Sequence, residues 1–322
     1  MTTSRTQDLV DQMLEGSELA LARLISLVEN EPACMSSILP LIDARVGQAH
    51  TVGFTGPPGA GKSSLVNQVT RVLRKRGHKV GIIAVDPTSP FTGGAFLGDR
   101  IRMQGHYLDP GVFIRSMATR GSYGGLAQAT KDVVKLIDAY GMPYILVETV
   151  GVGQTELDVM QATDTTVVAL VPESGDSIQA MKAGLMEIGD VFAVNKSDRP
   201  GAEDVAAQLK IALHMNPRYE NELPPIFLTR GTDGAGVEEL VDGIMGHRQG
   251  VSAEELEMRK RDRRNAELEE ILTQAALREF RQLVKRDESV REQLRKVVGG
   301  ERDPYTFLRE AFPSGVLNGN HR

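Results

Sequence analysis

One short segment restricts the possible fold of this chain more than any other. Residues 56–63 read Gly-Pro-Pro-Gly-Ala-Gly-Lys-Ser and fit the pattern G-x-x-x-x-G-K-[ST] without a mismatch. An apolar run precedes the segment, and an amphipathic run from Ser64 to Arg71 follows it. Glycines let successive backbone N–H groups converge on phosphate oxygens, and a helix that begins there adds its dipole. The segment therefore predicts a phosphate-binding loop between a strand and a helix.

Each residue type in this loop has a chemical reason to be there. Lys62 would neutralise charge on the β- and γ-phosphates of a nucleotide, and Ser63 offers a hydroxyl to Mg²⁺. A chance match in a chain with 33 glycines is the alternative, and the strand–loop–helix context argues against it. The predicted nucleotide-binding residues in this part of the chain are Gly56, Pro57, Pro58, Gly59, Ala60, Gly61, Lys62, Ser63 and Ser64.

The middle of the chain alternates short apolar runs with segments of helix length. Near-continuous apolar strands that alternate with helices indicate a parallel sheet covered on both faces, so we predict an α/β fold with a mainly parallel central sheet. The predicted strands are Thr51–Gly56, Lys79–Asp86, Val112–Met117, Tyr144–Val150, Thr165–Val171, Val191–Asn195 and Pro225–Thr229.

The two ends of the chain have a different, helical character. We predict an N-terminal helical extension over residues 1–48, a nucleotide-binding domain over 49–250 and a C-terminal helical arm over 251–322. Ser252–Val284 contains neither proline nor glycine, and its apolar residues form one helical stripe. That stripe must be buried, either against the chain's own domain or against a partner chain. Its residues are Leu268, Ile271, Leu272, Ala275, Ala276, Phe280, Leu283 and Val284.

Composition excludes several classes of function. The net charge of -6 gives no electrostatic attraction to nucleic acid or to anionic lipid. A single cysteine, Cys34, excludes an internal disulfide and suits a reducing compartment. The sequence has no long uncharged apolar run and no signal-peptide core at its N-terminus. We therefore expect a cytoplasmic protein that binds neither membrane nor nucleic acid.

A second motif indicates which nucleotide base is bound. Asn195-Lys-Ser-Asp198 follows the predicted strand Val191–Val194 and fits the pattern N-K-x-D. Asp198 can accept hydrogen bonds from guanine N1–H and from the exocyclic amine, whereas adenine has no proton on N1 and would leave the carboxylate unpaired. Asn195 would connect this loop to the phosphate-binding loop, and the stem of Lys196 would cover the base. The pair of motifs predicts a site for GTP or GDP.

The end of the last predicted strand belongs to the same site. Thr229-Arg230-Gly231 follows that strand, at the place where GTPases of this architecture direct backbone N–H groups to the guanine oxygen. We therefore include Thr229, Arg230 and Gly231 among the predicted nucleotide-binding residues.

A third motif lies between the phosphate-binding loop and the guanine motif. Glu148-Thr-Val-Gly151 follows an apolar strand and resembles the D-x-x-G switch, with glutamate in place of aspartate. Glu148 can hold Mg²⁺ through water, and the Gly151 N–H can sense the γ-phosphate. Asp86 ends another strand and Asp99 lies in a glycine-rich segment, so either carboxylate could approach the metal. Each of these acids could instead be a capping, turn or strand-end residue.

The residue after the switch glycine bears on the rate of hydrolysis. Many small GTPases have a water-orienting glutamine there, but here the position is Val152, and Gln154 is the nearest glutamine. We therefore expect slow intrinsic hydrolysis that needs a partner or a rearrangement to accelerate it. The candidate catalytic residues at this point are Lys62, Glu148 and Gln154.

Five segments together resemble a known family. They are Gly56–Ser64, Val85–Ser89, Glu148–Glu156, Ser174–Asp190 and Asn195–Asp198, in this order along the chain. The chain is similar over nearly its whole length to the MeaB/ArgK family, the GTPases associated with methylmalonyl-CoA mutase and related adenosylcobalamin-dependent acyl-CoA mutases. The resemblance implies a P-loop GTPase that acts as a chaperone for such a mutase and couples GTP binding and hydrolysis to cofactor loading and protection.

The resemblance also implies an assembly and an additional switch. Family members are typically homodimers that associate through C-terminal helices, which would give residues 251–322 a partner. Ser174–Asp190 would be a mobile switch that links partner binding to hydrolysis, and Lys182 on it could enter the nucleotide site. Considered without the family, Ile178–Ile188 is an ordinary amphipathic helix with Lys182 in solvent.

One departure and three alternatives accompany the resemblance. Thr229-Arg-Gly stands where many relatives have Ser-Ala-Arg or Ser-Ala-Lys, which leaves the side-chain contacts there open. A nickel-delivery GTPase would need clustered soft or imidazole ligands, but the chain has one cysteine and six scattered histidines. A protein-targeting GTPase would have a methionine-rich domain, and the 12 methionines are dispersed. Asp198 argues against a P-loop kinase or ATPase.

Overall fold

The computed structural model describes residues 3–86, 104–106, 108–118, 125–149, 163–172, 185–220 and 222–311. The chain divides into two compact units, residues 1–260 and 261–322. The first unit contains the whole sheet and every motif discussed above.

A parallel sheet of seven strands forms the centre of the first unit. The strand order is β3-β2-β4-β1-β5-β6-β7, and every neighbouring pair is parallel. The predicted α/β fold class and all seven predicted strands are confirmed, with ends that differ by one residue. The strands are β1 (His50–Thr55), β2 (Val80–Asp86), β3 (Val112–Ala118), β4 (Tyr144–Thr149), β5 (Thr165–Leu170), β6 (Val191–Val194) and β7 (Ile226–Leu228).

Helices connect the strands and cover the sheet. Within the described residues of the first unit they are α1 (Thr3–Leu14), α2 (Glu18–Asn30), α3 (Met35–Ile42), α4 (Lys62–Lys75), α5 (Gly125–Ala139), the single turn α6 (Leu185–Ile188), α7 (Ala202–His214), α8 (Val237–Gly250) and the start of α9 (Ala253–Arg286). The predicted helical stretch before β1 is thus three helices with short 3₁₀ turns after the second and third. Gly16 with φ +100° separates α1 from α2, and Ser17 caps α2 by accepting a hydrogen bond from the Ala20 N–H.

The two faces of the sheet have separate cores because side chains alternate along each strand. On one face Phe54 and Leu146 pack with α4 and α8. On the other face Ile83 and Ile145 pack with α5 and the N-terminal helices, so residues 3–45 share a core with the sheet. Cys34 packs half-buried at this second core, and burial raises the pKa of its thiol to about 11, which keeps it neutral.

The second unit is helical. It comprises the remainder of α9 (Ala253–Arg286), then α10 (Glu288–Val298) and α11 (Pro304–Ala311). Asp287 caps α10 by accepting hydrogen bonds from the N–H groups of Ser289 and Val290. Leu268 and Leu272 on the predicted apolar stripe are 55% and 59% exposed. Together with Ile271, which is 43% exposed, they give the first part of the stripe an apolar surface.

Within the described ranges, no helix combines the length and the apolar character that crossing a bilayer requires.

A buried polar cluster lies where β1 and β5 begin, at the sheet edge opposite the phosphate-binding loop. His50 is 0% exposed, and its Nε2 lies 2.8 Å from Thr165 Oγ1, which in turn lies 2.9 Å from Nδ1 of His247 on α8. Burial lowers the pKa of His50 to about 4, because the charged imidazolium would lose its hydration, and the nearby Asp164 offsets this only partly. The folded state therefore contains a neutral His50 at neutral pH.

Acid should consequently destabilise the protein through His50. Its unfolded pKa of 6.5 exceeds its folded pKa of about 4, so the unfolded state binds the extra proton and the free energy of unfolding falls as pH decreases between these values. Between pH 7.5 and pH 5 we expect a loss of about 2 kcal/mol from this group. Urea unfolding of the wild type and of His50→Asn at both pH values measures this loss in the free energy of unfolding, which should be smaller in the variant. The prediction is wrong if the two proteins lose the same amount.

Candidate functional site

The predicted motifs lie together at the carboxyl ends of four strands of the sheet, β1, β4, β6 and β7. In the register of the sheet, Phe54 of β1 and Ala84 of β2 both pair with Glu148 of β4. The phosphate-binding loop follows β1, and the Asn195 motif and the Thr229 segment follow β6 and β7 at the same edge. A crevice at the carboxyl edge is where parallel α/β sheets bind ligands.

The phosphate-binding loop has a backbone that its glycines make possible. Gly56 has φ +139°, and a Cβ there would lie 2.1 Å from the Ala169 carbonyl oxygen. Gly61 has φ +82°, and a Cβ there would lie 2.4 Å from Asn195 Nδ2. Any side chain at either position would therefore force the loop away from its neighbours, which explains two of the three glycines in the motif. Helix α4 begins at Lys62, directly after this loop.

Lys62 folds back over the loop that precedes it. Its Nζ donates hydrogen bonds to the carbonyl oxygens of Gly56 at 2.7 Å and Pro57 at 3.1 Å, and the residue is only 6% exposed. The ammonium group is therefore held against the backbone of the loop. These carbonyl oxygens stand where phosphate oxygens can compete for the same donor.

Ser63 and Glu148 form a buried pair of oxygen ligands. Ser63 Oγ donates a hydrogen bond of 2.6 Å to Glu148 Oε1, and both residues are 6% exposed. The hydroxyl comes from the first turn of α4 and the carboxylate from the end of β4. A hydroxyl and a carboxylate are the hard oxygen donors that Mg²⁺ prefers. The residues present therefore fit a magnesium ion held by Ser63 directly and by Glu148 directly or through water.

Asn195 connects three parts of the site through its side chain. Its Nδ2 donates to the Ala60 carbonyl oxygen at 2.8 Å, and its Oδ1 accepts from the Gly231 N–H at 2.9 Å. The residue is 2% exposed. The structure thus contains the connection between the guanine motif and the phosphate-binding loop that the sequence predicts.

The rest of the guanine motif, residues 196–198, is less buried than Asn195. Lys196 adopts φ +57°, which is unusual for a residue with a side chain. The Ser197 N–H donates to the Thr229 carbonyl oxygen at 3.0 Å, which joins this loop to the one after β7. Asp198 is exposed in this structure, so its carboxylate is accessible to a base. The burial that our specificity argument assumes would come from the bound nucleotide itself.

The segment after β7 uses its backbone donors within the protein. The N–H of Thr229 donates to the Val194 carbonyl, that of Arg230 to the Ala235 carbonyl, and that of Gly231 to Asn195 Oδ1, each at 2.9 Å. We expected N–H groups of this segment to face the guanine oxygen. In this structure all three are already engaged.

A buried glutamine that the sequence reasoning missed supports this segment. Gln68 on α4 is 5% exposed, and its Nε2 donates to the carbonyl oxygens of Gly231 at 3.3 Å and Thr232 at 3.4 Å. The signal was available, since Gln68 is a polar residue that follows Leu65 by three positions and precedes Val72 by four on the apolar stripe of α4.

Some predicted site residues cannot be placed. Asp99, Gly151, Gln154 and Lys182 lie outside the described residues, as does Ser174–Asp190 apart from its last six residues. Of Asp86 only the backbone is described; it ends β2 and pairs with Ala118. The roles of these residues stay predictions.

Comparisons with known proteins agree with these motifs. Residues 21–285 match the family described as Methylmalonyl Co-A mutase-associated GTPase MeaB. A protein of Pyrococcus abyssi named as a GTPase is 47% identical over 317 residues, which cover 96% of this chain and 98% of that protein. The GTPase ArgK of Escherichia coli is 34% identical over 252 residues, 76% of each chain.

Two further relatives extend the comparison. The mitochondrial protein of Mus musculus named methylmalonic aciduria type A homolog is 30% identical over 342 aligned positions, 97% of this chain and 81% of that one. The crystal structure of a protein described as LAO/AO transport system kinase has a TM-score of 0.69 and 25% identity, and the match covers 96% of this chain and 97% of that chain. The chain belongs to the family of methylmalonyl-CoA mutase-associated GTPases, MeaB, and is a P-loop GTPase.

Proposed function

We propose that this GTPase is a magnesium-dependent chaperone of an adenosylcobalamin-dependent acyl-CoA mutase, methylmalonyl-CoA mutase or a relative. GTP binding and hydrolysis would be coupled to loading and protection of the mutase cofactor. The observation that carries the partnership is the match of residues 21–285 to a family described by its association with that mutase. The relative in Mus musculus, whose name refers to methylmalonic aciduria, supports the same partner class.

The nucleotide would bind along the carboxyl edge of the sheet. The N–H groups of residues 56–64 would surround the phosphates, and the buried Lys62 ammonium would exchange its carbonyl acceptors for β- and γ-phosphate oxygens. Because the loop is already folded and the lysine already points into it, little reorganisation is needed when charge develops during hydrolysis.

Ser63 and Glu148 would hold the magnesium ion. A bound Mg²⁺ supplies charge neutralisation to the β- and γ-phosphate oxygens. Binding would replace the hydrogen bond between Ser63 Oγ and Glu148 Oε1, and both oxygens would turn to the metal. Asp86 and Asp99 are the further candidates for the same metal, and Gly151 is the candidate sensor of the γ-phosphate.

Hydrolysis would also depend on groups other than Lys62, Ser63 and Glu148. Val152 follows the switch glycine, so the chain lacks the directly following glutamine that orients water in many small GTPases, and Gln154 is the candidate in its place. We propose that a bound mutase completes the site through Ser174–Asp190 and that Lys182 then approaches the phosphates.

The assembly would be a homodimer in the cytoplasm. Apolar side chains such as Leu268, Ile271 and Leu272 are 43–59% exposed on α9, and a second copy of residues 251–322 would cover them. The single cysteine is consistent with a reducing compartment.

The guanine site can be tested by replacing one carboxylate oxygen of Asp198 with an amide nitrogen. Asp198→Asn replaces a charged double acceptor with a group that both donates and accepts, so GTP binding should weaken by at least about 2–3 kcal/mol. Xanthosine triphosphate, whose C2 oxygen can accept from the new amide, should bind the variant better than the wild type. Fluorescence titration of the wild type and the variant with both nucleotides measures how the relative affinity for GTP and xanthosine triphosphate changes. A variant with wild-type GTP affinity would show that Asp198 does not contact the base.

The magnesium site can be tested by separating binding from turnover. Glu148→Ala should lower kcat more than it weakens GTP binding, because a metal ligand matters most when charge develops on the phosphates. Glu148→Asp, which restores a carboxylate, should recover part of the loss, and Ser63→Ala should raise the Mg²⁺ concentration needed for tight binding. Phosphate release and nucleotide titrations across a magnesium series provide these numbers. Equal losses of binding and kcat in Glu148→Ala would indicate a structural role instead.

The partnership can be tested with a purified mutase. Steady-state phosphate release should rise when a cognate adenosylcobalamin-dependent acyl-CoA mutase is added. A supplied arginine accelerates such reactions by roughly 10³–10⁵, and a lysine without the bidentate fork should give less. Lys182→Ala should abolish the rise but retain basal activity, whereas the matched control Lys210→Ala, on the exposed side of α7, should keep it. Stimulation that survives in Lys182→Ala would contradict the switch, and no stimulation by any such mutase would contradict the partnership.

A further inference from the structure

A cavity of about 640 Å³ lies at the edge of the sheet opposite the nucleotide motifs. Its wall includes Asp190, which directly precedes β6, and Pro225, which directly precedes β7. Helix α8 contributes His247, and the first turns of α9, which belong to the first unit, contribute Arg259. Sites for small molecules typically have volumes of about 300–1,000 Å³. The cavity is therefore large enough for a small ligand and is separate from the place where phosphates would bind.

The imidazole of His247 presents a defined donor at this cavity. Its Nδ1 lies 2.9 Å from Thr165 Oγ1, and its Nε2 lies 3.7 Å from Asp190 Oδ1. Because a carboxylate faces Nε2, that nitrogen carries the proton of the neutral ring, and the Thr165 hydroxyl donates to Nδ1. The edge of the ring that faces the cavity wall at Asp190 is therefore an N–H donor.

Two acids and two arginines surround the same imidazole. Burial lowers the pKa of His247; the two carboxylates oppose this shift, and the two guanidinium groups add to it. The acids are Asp190 and Glu255, and the arginines are Arg218 and Arg259. All four side chains also line the cavity. Their charges therefore converge on one place instead of being spread over the surface.

Both of these acids are already engaged by donors of the protein. Asp190 Oδ2 accepts from the Thr166 N–H at 2.9 Å, and its Oδ1 accepts from Arg218 Nη2 at 3.1 Å. Glu255 Oε1 accepts from Nε and Nη2 of Arg259 at 3.1 Å and 2.7 Å. Each acid thus neutralises one arginine of the cavity wall.

The two arginines keep donors that these contacts do not use. A guanidinium has five N–H donors in a planar fork, of which Arg218 uses one and Arg259 two in the side-chain hydrogen bonds among the described residues. The two side chains are 40% and 32% exposed, so the other donors are accessible. Glu222, a third acid of the wall, is exposed and forms an ion pair with neither arginine. The wall therefore offers a ligand more donors than acceptors.

Nothing in the described part of the chain requires the glycine at position 246. Gly246 lies in the interior of α8, where glycine is destabilising relative to alanine. Gly243, one turn earlier, has a clear reason, since a Cβ there would lie 2.4 Å from the ring of Phe227. A Cβ on Gly246 would meet nothing within 4 Å, and this residue lines the cavity. The absence of a side chain at position 246 therefore leaves space for a ligand.

We propose that this cavity binds a small organic anion, a molecule that joins a carboxylate or phosphate group to an apolar body. The guanidinium forks of Arg218 and Arg259 match the oxygens of such a group. The Nε2–H of His247 is a further donor beside them. The apolar body would contact Leu223 and Val251, which are also part of the wall.

Hexanoate and hexyl phosphate are suitable probes, with hexylamine as the cationic control. The protein is first saturated with GDP and Mg²⁺, so that the phosphate-binding loop is occupied and does not bind the anions. Either anion should bind saturably and raise the pH at which His247 titrates, because a negative charge nearby favours the imidazolium. NMR of the histidine ring protons measures both effects, and comparison of the two anions identifies the preferred head group. The proposal is overturned if neither anion binds, if a bound anion leaves His247 unchanged, or if hexylamine binds instead.

Three variants locate the binding site. Arg259→Ala should weaken anion binding by about tenfold or more, because a charge-assisted hydrogen bond is lost. Gly246→Leu should weaken it at least as much by filling the cavity, yet it should not lower Tm, because leucine has the higher helix propensity. Arg248→Ala is the matched control, since Arg248 follows His247 on α8 but does not line the cavity. Its affinity should stay within about twofold of that of the wild type.

Two results with these variants would contradict the proposal. Wild-type affinity in both Arg259→Ala and Gly246→Leu would show that the anion binds elsewhere. Equal weakening in Arg248→Ala and Arg259→Ala would show a general effect of surface charge instead of a contact in this cavity.

Discussion

The side chain of Asn195 is the interaction on which the rest of the site depends. One buried amide donates to the Ala60 carbonyl in the phosphate-binding loop and accepts from the Gly231 N–H in the loop after β7. An amide can do both because its two ends have opposite hydrogen-bonding character. Gly61 is required beside it, since a Cβ there would lie 2.4 Å from the amide nitrogen. Aspartate at position 195 would lose the donor to Ala60, so this direct link between the loops that hold phosphate and base would be lost.

The sheet brings several groups of the site next to hydrogen-bond partners in the protein. The phosphate-binding loop follows β1 at the centre of the sheet, Glu148 lies near the end of the adjacent β4, and Asn195 follows β6. Each has hydrogen-bond partners in the protein. Preorganised groups of this kind are where stabilisation of developing charge is expected. The groups proposed to act only with a partner, Gln154 and Lys182, lie outside the described residues. Nucleotide binding and acceleration of hydrolysis are thereby assigned to different parts of the chain.

Much of the fold was predictable because local and global preferences agree. Seven apolar runs separated by helix-length segments predict a parallel sheet, and all seven became strands. The glycines and Lys62 of the phosphate-binding loop were predictable for the same reason, since each follows from local backbone geometry and phosphate chemistry. Gln68 and the engagement of the Thr229–Gly231 N–H groups were not anticipated. Most of their contacts, such as those of Gly231 with Gln68 and with Asn195, join residues that are far apart in sequence. No local pattern specifies such pairing.

The sequence by itself determined the phosphate-binding loop, the N-K-x-D motif, the strand order along the chain and the family, because each is carried by residue types at fixed spacing. Only the tertiary structure decided which groups meet. It placed Ser63 Oγ 2.6 Å from Glu148 Oε1, although 85 positions separate them. It also paired the backbone donors of Thr229, Arg230 and Gly231 with acceptors in the protein. Such contacts depend on which strands lie side by side, and that is set by packing over the whole sheet rather than by any one segment.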